Sequence, residues 1–298
     1  MGTIATTENN NAPLLSIITI NYNNAEGLKK TIESVLSQKL DDYSTLEYII
    51  VDGGSTDGSV EVIKESIIDT KFEIDWKSEP DKGIYNAMNK GIKKAHGKYC
   101  LFLNSGDWLC DKSIVSTFFS SVKNFVASEN TVFYGKCRTS KNGKVVGALI
   151  PEKEITLTTL FRNTIYHPAA FIPLVLLQKH NYDENLKIVS DWKLFLIALI
   201  ENYTFVYINF FVSIYDLSGI SSINSIKLKE EREKTLQEFL PTYVYKNEEY
   251  SIKSPLNKWN YYGKCLYQNK GIFNFWILCT RSFYKFLRIL HIMKGVYK

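Results

Sequence analysis

Three continuous apolar runs in the first third of the chain end in small or polar residues. They are LLSIITINY at 14–22, LEYIIVD at 46–52 and YCLFL at 99–103. Continuous apolar runs, rather than alternating ones, are typical of parallel strands that are covered on both faces. Segments with the apolar spacing of helices lie between them, at 25–38, 60–68 and 84–95. The pattern predicts a βαβαβ array whose polar residues collect at the strand ends.

Turn residues and spacing predict the remaining elements. Pro80 cannot continue a sheet ladder, so a strand at 72–78 is expected to stop before it. Asn142-Gly143 separates two strand-like runs, 131–138 and 144–149, and predicts a hairpin. Further helices are expected at 111–123, 190–202 and 226–239, and further strands at 204–209 and 211–215.

Changes in composition along the chain predict three segments. Residues 1–12 are expected to be a disordered lead-in, 13–220 an α/β domain, and 221–298 a helical, basic and aromatic extension. The lead-in lacks the basic and apolar regions of a signal peptide. No run of 18 apolar residues occurs, which argues against a transmembrane helix.

Charge and cysteine content narrow the class of protein. A formal net charge of +5 gives little electrostatic support to nucleic-acid binding. The five cysteines are widely spaced and form no CxxC pair, which argues against zinc and against a disulfide framework. A reducing cytosol is the simplest compartment, so the sequence predicts a cytoplasmic protein.

The segment 271–298 combines basic and aromatic residues and contains no acid. A basic helix with apolar residues on its other side suits a membrane interface. This predicts peripheral attachment to an anionic surface, the inner face of the cell membrane. A terminal helix packed on the core, or a subunit contact, is the open alternative.

The strand at 99–103 leads directly into Asn104-Ser105-Gly106-Asp107. Ligands of open α/β sheets bind at the carboxyl edge of the strands. A carboxylate there is suited to hold Mg²⁺ or Mn²⁺ against a diphosphate. The alternative is an aspartate that caps a helix beginning near Asp111.

Four segments, in this order, resemble the inverting family 2 glycosyltransferases of the nucleotide-binding α/β type called GT-A. They are SIITINYNN at 16–24, VDGGSTDGS at 51–59, EPDKGIYNAMNKGI at 79–92 and LFLNSGD at 101–107. The resemblance covers about 14–220 and is specific because the four occur together. It implies a Rossmann-like mixed, mainly parallel sheet with helices on both faces. Within the family, the chain looks closest to bacterial enzymes of surface-polysaccharide or lipopolysaccharide synthesis.

The resemblance implies a site for a nucleotide-sugar, with UDP as the expected nucleotide. The residues expected around base, ribose and phosphate are Thr19, Asn21, Tyr22, Asp52, Asp81 and Lys82. Asp52 would accept a hydrogen bond from the base N3–H, and Lys82 would lie near phosphate. The alternatives are a turn-forming role for Asp52, a core position for Tyr22 and a solvated turn position for Lys82.

The resemblance also implies a metal site with Mn²⁺ or Mg²⁺ as cofactor. The family's Asp-x-Asp motif reads Ser105-Gly106-Asp107 here, so the metal role is transferred to Asp107 alone. Asn104, Ser105 and Gly106 are expected on the donor side. His167 is a further candidate for the metal or the diphosphate, and a structural histidine beside Pro168 is the alternative.

Asp191 falls where related enzymes carry their catalytic carboxylate, at the start of a predicted helix. It would accept the proton of the acceptor hydroxyl as that oxygen attacks the anomeric carbon. Trp192 is expected to stack on an acceptor sugar. The alternative for Asp191 is a helix N-terminal acid favoured by the dipole, and Asp183 is a weaker competitor for the base.

Together these residues predict an inverting hexosyl- or N-acetylhexosaminyltransferase that uses a UDP-sugar and a saccharide or lipid-linked acceptor. The alternative is a non-catalytic nucleotide- or carbohydrate-binding subunit of a polysaccharide assembly complex, favoured only by the missing first acid. A nucleotide-sugar pyrophosphorylase would need a Gly-rich, basic loop after the first strand, where the chain has Asn23-Asn24-Ala25-Glu26-Gly27. A dehydrogenase would need GxGxxG, a spacing that the glycines after Asp52 lack.

Overall fold

The computed structural model describes residues 12–68, 70–72, 74–125, 130–217 and 225–239. By its contacts the chain divides into two compact units, Met1–Leu228 and Lys229–Lys298. The first unit holds the whole sheet, while the lead-in up to residue 11 and the tail 271–298 lie outside the described residues. The predicted segment boundaries stay predictions.

One mixed sheet organises the first unit. Its strands are β1 (Leu15–Asn21), β2 (Leu46–Asp52), β3 (Ile74–Ser78), β4 (Tyr99–Phe102), β5 (Trp108–Leu109), β6 (Thr131–Lys141), β7 (Lys144–Leu149), β8 (Ala170–Pro173) and β9 (Thr204–Asp216). They are ordered β3-β2-β1-β4-β8-β6-β9-β5, with β7 paired to β6. The first four run parallel, whereas β8 is antiparallel to both of its neighbours. The predicted mixed α/β sheet is confirmed.

Helices follow the strands in the alternation that the sequence predicts. They are α1 (Ala25–Leu36), α2 (Ser59–Ser66), α3 (Ile84–Lys94), α4 (Ile114–Asn124), α5 (Leu157–Arg162), α6 (Leu174–His180), α7 (Ser190–Ile200) and α8 (Ser225–Phe239). Within the described ranges, none is both long and apolar enough to cross a membrane. The predicted helix at 226–239 is confirmed as α8, taken by itself.

Both faces of the parallel strands are covered. Ile17 of β1 belongs to a buried cluster that includes Ile32 of α1 and Phe118 of α4. The next residue, Ile18, points the other way and lies against Gly91 of α3. Alternate residues of one strand therefore meet helices on opposite faces, which explains why these strands are apolar throughout.

Several predicted elements differ from the structure. The strands expected at 204–209 and 211–215 form one continuous strand, β9, because shifts in its register with β6 absorb the irregularity. The helix expected from Asp111 begins at Ile114, since the Asp111 carboxylate accepts the Ser113 N–H at 2.8 Å and forms a turn. The hairpin is confirmed, and Asn142 and Gly143 have φ of 52° and 72°, as a two-residue turn of this kind requires.

The helix α3 ends at Lys94, three residues before Gly97. The glycine lets the chain pass close to β1. A Cβ atom at this position would lie 2.5 Å from the Ser16 nitrogen and 2.7 Å from the Leu15 carbonyl carbon. Backbone atoms cannot move aside as a flexible side chain can, so the close approach depends on the missing Cβ.

We expect Gly97→Ala to lower the free energy of unfolding by about 1–3 kcal/mol, the usual cost of overpacking. Chemical denaturation of the purified protein measures this. The matched control is Gly147→Ala on β7, where a Cβ would meet only the Thr139 hydroxyl, at 2.9 Å. Equal stability of the two variants would contradict the close approach of Gly97 to β1.

Candidate functional site

Asp52, at the end of β2, holds the loops after β1 and β2 together. Its Oδ1 atom accepts hydrogen bonds from Asn21 Nδ2 at 2.7 Å and from Ser55 Oγ at 2.6 Å. Its Oδ2 atom accepts from Ser78 Oγ at 2.6 Å and from the N–H groups of Ser55 and Gly54 at 2.9 and 3.2 Å. Burial opposes the charge, but these bonds outweigh it and hold the pKa of Asp52 below its usual range. The geometry favours the turn-forming alternative, and a direct contact with a base stays a prediction.

Thr19 and Asn21 are buried in β1 beside this loop. The Thr19 hydroxyl donates to the Leu103 carbonyl at 2.8 Å, which supports the sheet. Asn21 differs, because its Oδ1 atom is buried and has no hydrogen-bond partner among the described residues. Asn21 therefore remains the better candidate of the two for contact with a ligand.

Tyr22, Gly53 and Asp81 lie together where β1 and β2 end. The Tyr22 side chain is 66% exposed. A Cβ atom on Gly53 would lie 2.5 Å from Asp81 Oδ2 and 3.1 Å from the Tyr22 ring. An exposed aromatic face next to a carboxylate could stack on a base and accept its hydrogen bond. Lys82 is exposed beside them, as expected for either a phosphate contact or a solvated turn.

The turn after β4 is fixed to α1 by a single hydroxyl. Thr31 Oγ1 accepts the Gly106 N–H at 3.0 Å and donates to the Asp107 carbonyl at 2.6 Å. Gly106 has φ of 102°, a left-handed conformation that favours glycine. Asn24 Nδ2 adds a bond to the Ser105 carbonyl at 3.1 Å. The turn is thereby held at the carboxyl edge of the sheet, next to the loop after β1.

Asp216 is a site residue that the sequence reasoning missed. The short strand β5 pairs with the end of β9, with Trp108 opposite Ile214. This pairing brings Asp216 beside Asp107, whose Oδ1 accepts the Asp216 N–H at 2.8 Å. A Cβ on Gly106 would lie 3.5 Å from Asp216 Oδ2. Asp216 directly follows an apolar run, as Asp52 does, and that signal could have identified it.

A negative charge on Asp107 is costly in this environment. Its side chain is only 4% exposed. Burial raises the pKa of Asp107 to about 8, and the neighbouring charge of Asp216 adds to this effect. The hydrogen bond from the Asp216 N–H acts in the opposite direction but is outweighed. Lys30 lies within electrostatic range of Asp216, with its Nζ 3.1 Å above the Trp108 ring. Two adjacent acids of this kind provide a setting in which a bound cation is favourable.

The oxygen donors of this turn fit a hard divalent cation. Asp107 and Asp216 supply carboxylates, which Mg²⁺ and Mn²⁺ prefer. In the same turn, Asn104 Oδ1 is buried with no hydrogen-bond partner among the described residues. No group of three or more His, Cys, Asp or Glu in the described ranges could enclose a metal. The residues therefore suit an ion that shares its coordination with a ligand's phosphates and with water.

His167 lies in a different group of side chains. Its ring stacks on Phe102, with centroids 4.9 Å apart, and its Nε2 atom is 2.7 Å from the Tyr182 hydroxyl. Burial lowers the pKa of His167, and the charge of Asp191 opposes that shift. These contacts favour the structural alternative, and a role at the metal or the diphosphate stays a prediction.

Asp191 lies half-buried in the first turn of α7, where the helix dipole favours its charge. The Tyr85 hydroxyl is 3.4 Å from its Oδ1 atom. Tyr85 lies in the first turn of α3, which follows the loop at the carboxyl end of β3, so Asp191 lies near the carboxyl edge of the sheet. The weaker competitor, Asp183, forms an ion pair with Lys193 at 2.8 Å. Of the two acids, Asp191 is the better placed to accept a proton.

Trp192 does not lie on the acceptor side as predicted. The side chain is 2% exposed, and its Nε1 donates to the Leu160 carbonyl at 2.8 Å. A ring buried in this way cannot stack on a sugar. Trp192 instead anchors α7 to α5 through this hydrogen bond. The prediction failed because an aromatic side chain next to a helix N-terminus can pack in the core as well as against a ligand.

Residues 16–120 match the family model described as Glycosyl transferase family 2. This part of the chain is similar to the family 2 glycosyltransferases. The matched segment contains β1 to β5, the loops after β1 and β2, and the turn that ends in Asp107. Asp191 and Asp216 lie beyond it, so the family match covers only part of the candidate site.

The curated proteins that the chain resembles are glycosyltransferases. One from Mycobacterium tuberculosis, uncharacterised, is 40% identical over 105 residues, which are 35% of this chain and 38% of that protein. An uncharacterised one from Methanocaldococcus jannaschii is 27% identical over 198 residues, covering 65% of this chain and 67% of that protein. A PGL/p-HBAD biosynthesis glycosyltransferase of Mycobacterium bovis is 28% identical over 182 residues, covering 61% of this chain and 68% of that protein. The match thus spans well under half the length of the first relative.

Solved structures share the fold at low sequence identity. S. aureus TarS 1-349 in complex with UDP-GlcNAc gives a TM-score of 0.62 at 17% identity, covering 85% of this chain and 80% of that chain. Mannosyltransferase PcManGT from Pyrobaculum calidifontis, in complex with GDP-Man and Mn2+, gives a TM-score of 0.51 at 14% identity. That match covers 83% of this chain and 67% of that chain. At these identities the likeness shows the fold alone, and the predicted GT-A fold is confirmed.

Proposed function

We propose that this chain transfers a sugar from a nucleotide donor to a hydroxyl group of a saccharide or lipid-linked acceptor, with inversion at the anomeric carbon. One observation carries the proposal: the acid pair Asp107 and Asp216 and a separate acid, Asp191, lie toward the same edge of a sheet whose first part resembles family 2 glycosyltransferases. The pair suits a cation at the leaving diphosphate, and the separate acid suits a general base.

The donor side supports a nucleotide without fixing its base. Tyr22 offers a stacking face, and Asp81 offers an acceptor for uracil N3–H or guanine N1–H alike. Among structures with this fold, TarS binds UDP-GlcNAc and PcManGT binds GDP-Man. UDP is favoured here by the resemblance of the four sequence segments. A hexosyl or N-acetylhexosaminyl group is the expected sugar.

The chemistry assigned to the chain is a single displacement. Asp191 accepts the proton of the acceptor hydroxyl as its oxygen forms a bond to the anomeric carbon. The bond from that carbon to the diphosphate breaks, and the nucleoside diphosphate leaves with the electron pair. Asp107 and Asp216 would hold the divalent cation, which supplies charge neutralisation at the leaving group. Attack opposite to the leaving group inverts the configuration.

The cellular setting rests on the sequence. Bacterial surface-polysaccharide assembly follows from the family resemblance, and cytoplasmic location from the cysteine pattern. Attachment to the inner face of the membrane would come from the segment 271–298, which lies outside the described residues. A lipid-linked acceptor would make such attachment useful, because it brings the acceptor to the enzyme.

In calorimetric titrations with UDP, GDP and CDP in the presence of Mn²⁺, we expect UDP to bind most tightly. The same titrations in EDTA are the control, and they should show weaker binding of all three because the diphosphate then lacks its counterion. Tightest binding of GDP would overturn the choice of UDP while leaving a nucleotide-sugar donor in place.

A screen of UDP- and GDP-sugars for metal-dependent release of the nucleotide tests the activity itself. We expect release from at least one UDP-sugar, since water can replace a missing acceptor. Nucleotide binding without release or transfer from any donor would favour the non-catalytic alternative, a binding subunit of an assembly complex.

A further inference from the structure

The strand β7 is joined to the sheet along one edge only. Among the described elements it pairs with β6 alone, through the hairpin turn at Asn142-Gly143. Every residue from 141 to 148 is exposed, so neither face of this strand is covered by the described part of the chain. The β6–β7 hairpin is therefore a surface whose side chains are free to meet a partner.

The hairpin exposes aliphatic side chains that lie close together in sequence. Val145 is 47% exposed, Val146 58% and Ile150 64%. The register with β6 shifts at this point, from Thr139 opposite Gly147 to Ser140 opposite Val145, which leaves Val146 as the extra residue of a bulge. Single exposed aliphatic residues are common, but a contiguous group of them marks an interaction surface.

The charge of the same hairpin has one sign. Between Thr131 and Leu149 the sequence has no acid and four basic residues, which are Lys136, Arg138, Lys141 and Lys144. Within the described ranges none of the four forms an ion pair with a carboxylate. A surface with unpaired positive charge of this kind attracts an anionic partner.

One aromatic ring of the neighbouring strand holds two of these cations together. Lys136 Nζ is 4.7 Å and Arg138 Cζ 4.6 Å from the centroid of the Phe211 ring on β9. Lys136 Nζ also donates to Asn209 Oδ1 at 3.1 Å, which is a neutral acceptor. The positive charge of the hairpin thus continues onto β9 without being neutralised there.

These features favour an anionic lipid surface over a second copy of the chain. Basic residues beside exposed aliphatic ones are the combination that binds the headgroup region of an anionic membrane. A second copy would bring the same positive charges. The bulge at Val146 and the lysine at position 144 also oppose pairing of β7 with another strand, because bulges and lysines are what blunt the open edge of a sheet.

We propose that the β6–β7 hairpin, together with Phe211, is a docking surface for an anionic membrane. The inference goes beyond the proposed function, in which membrane attachment comes from the segment 271–298 and the hairpin has no role. Ser140, near the end of β6, lies opposite Asp216, which contacts Asp107. The hairpin turn follows directly, so docking there brings the candidate metal site close to the lipid surface.

The test is co-sedimentation of the full chain with vesicles of phosphatidylglycerol and phosphatidylcholine in equal parts, compared with vesicles of phosphatidylcholine alone. We expect binding to the anionic vesicles only. Lys141→Glu with Lys144→Glu should lower the partition coefficient by about 30-fold or more, since each basic residue near an anionic surface contributes about fivefold. Both side chains are exposed, so the variant should fold.

The matched control is Lys64→Glu with Lys98→Glu, which changes the net charge by the same amount. Both lysines are exposed and lie outside the hairpin, in the last turn of α2 and just before β4. This variant should lose far less binding. Equal losses in the two double variants, or a wild type that does not bind anionic vesicles at low salt, overturn the inference.

Hydrogen exchange of the wild type separates the hairpin from other membrane contacts. The amides of 141–150 should exchange more slowly on the anionic vesicles than in buffer, and unchanged exchange in a protein that co-sediments overturns the inference. Val145→Ser with Val146→Ser should reduce binding further where salt screens the charges. A dimer in light scattering that this variant abolishes would assign the surface to a second copy instead. No sugar donor enters these measurements, so vesicle binding through the hairpin without any transfer overturns only the proposed function.

Discussion

Replacing Asp191 by asparagine is expected to slow sugar transfer by about 10²–10⁴-fold, the usual loss when a general base is removed. Asparagine has nearly the same shape, so it can still accept a hydrogen bond from the Tyr85 hydroxyl. It cannot accept a proton from the acceptor. The measurement is the rate of product formation at saturating donor and acceptor, with donor affinity measured separately by calorimetry and expected to change little.

Asp183→Asn is the matched control for this prediction. Asp183 lies close in sequence and is ion-paired with Lys193 at 2.8 Å, so its loss should affect stability more than transfer. A full transfer rate in Asp191→Asn combined with a large loss in Asp183→Asn would exchange the roles of the two acids. Full rates in both would place the base elsewhere.

Replacing Asp107 by asparagine is expected to weaken Mn²⁺ binding in the presence of UDP by about 100-fold or more, because loss of outer partners alone costs 10–100-fold. Asparagine keeps an oxygen that can accept the Asp216 N–H, so the turn is retained. Asp216→Asn should act in the same direction. Electron paramagnetic resonance of free Mn²⁺ measures binding without reference to activity.

Asp111→Asn serves as the control, because this exposed acid after the turn only accepts bonds from Ser113. Without metal, the Asp107 variant has a second signature. The folded protein raises the pKa of Asp107 to about 8, so the stability of the wild type should fall as pH rises toward 8. The Asp107→Asn variant should lack that fall. Unchanged Mn²⁺ affinity in both acid variants would mean that the ion is held by other residues.

The elements that have strong local sequence patterns could be predicted from the sequence alone. β2 was predicted with its observed bounds, Leu46–Asp52, because an apolar run ends in an unmistakable turn. The hairpin at Asn142-Gly143 could be predicted because its turn needs positive φ angles, which asparagine and glycine adopt more readily than other residues. β5 and β8 were missed, since β5 has only two residues and β8 runs directly into α6 with no turn between them. Their existence depends on pairing with distant strands.

In the candidate site, too, locally determined features could be predicted and contacts between distant residues could not. The turn that ends in Asp107 could be located from the sequence, because it follows a buried strand directly. Its neighbour Asp216 could not be paired with it, since that contact crosses 109 residues and depends on β5 meeting β9. Trp192 was misjudged for a related reason. Its residue type suggests a ligand contact, but only the packed structure shows that the ring is buried and that its N–H already donates to the Leu160 carbonyl.

The position of β8 between β4 and β6 has a consequence for any shortened form of this protein. A fragment ending at residue 120 would keep β1 to β4 but would lose β8, the partner on the outer side of β4. The backbone groups of β4 would then be unpaired along an apolar border, which is a template for association with other chains. Such a fragment should therefore aggregate on expression, whereas one continuing through Leu217 keeps that border covered.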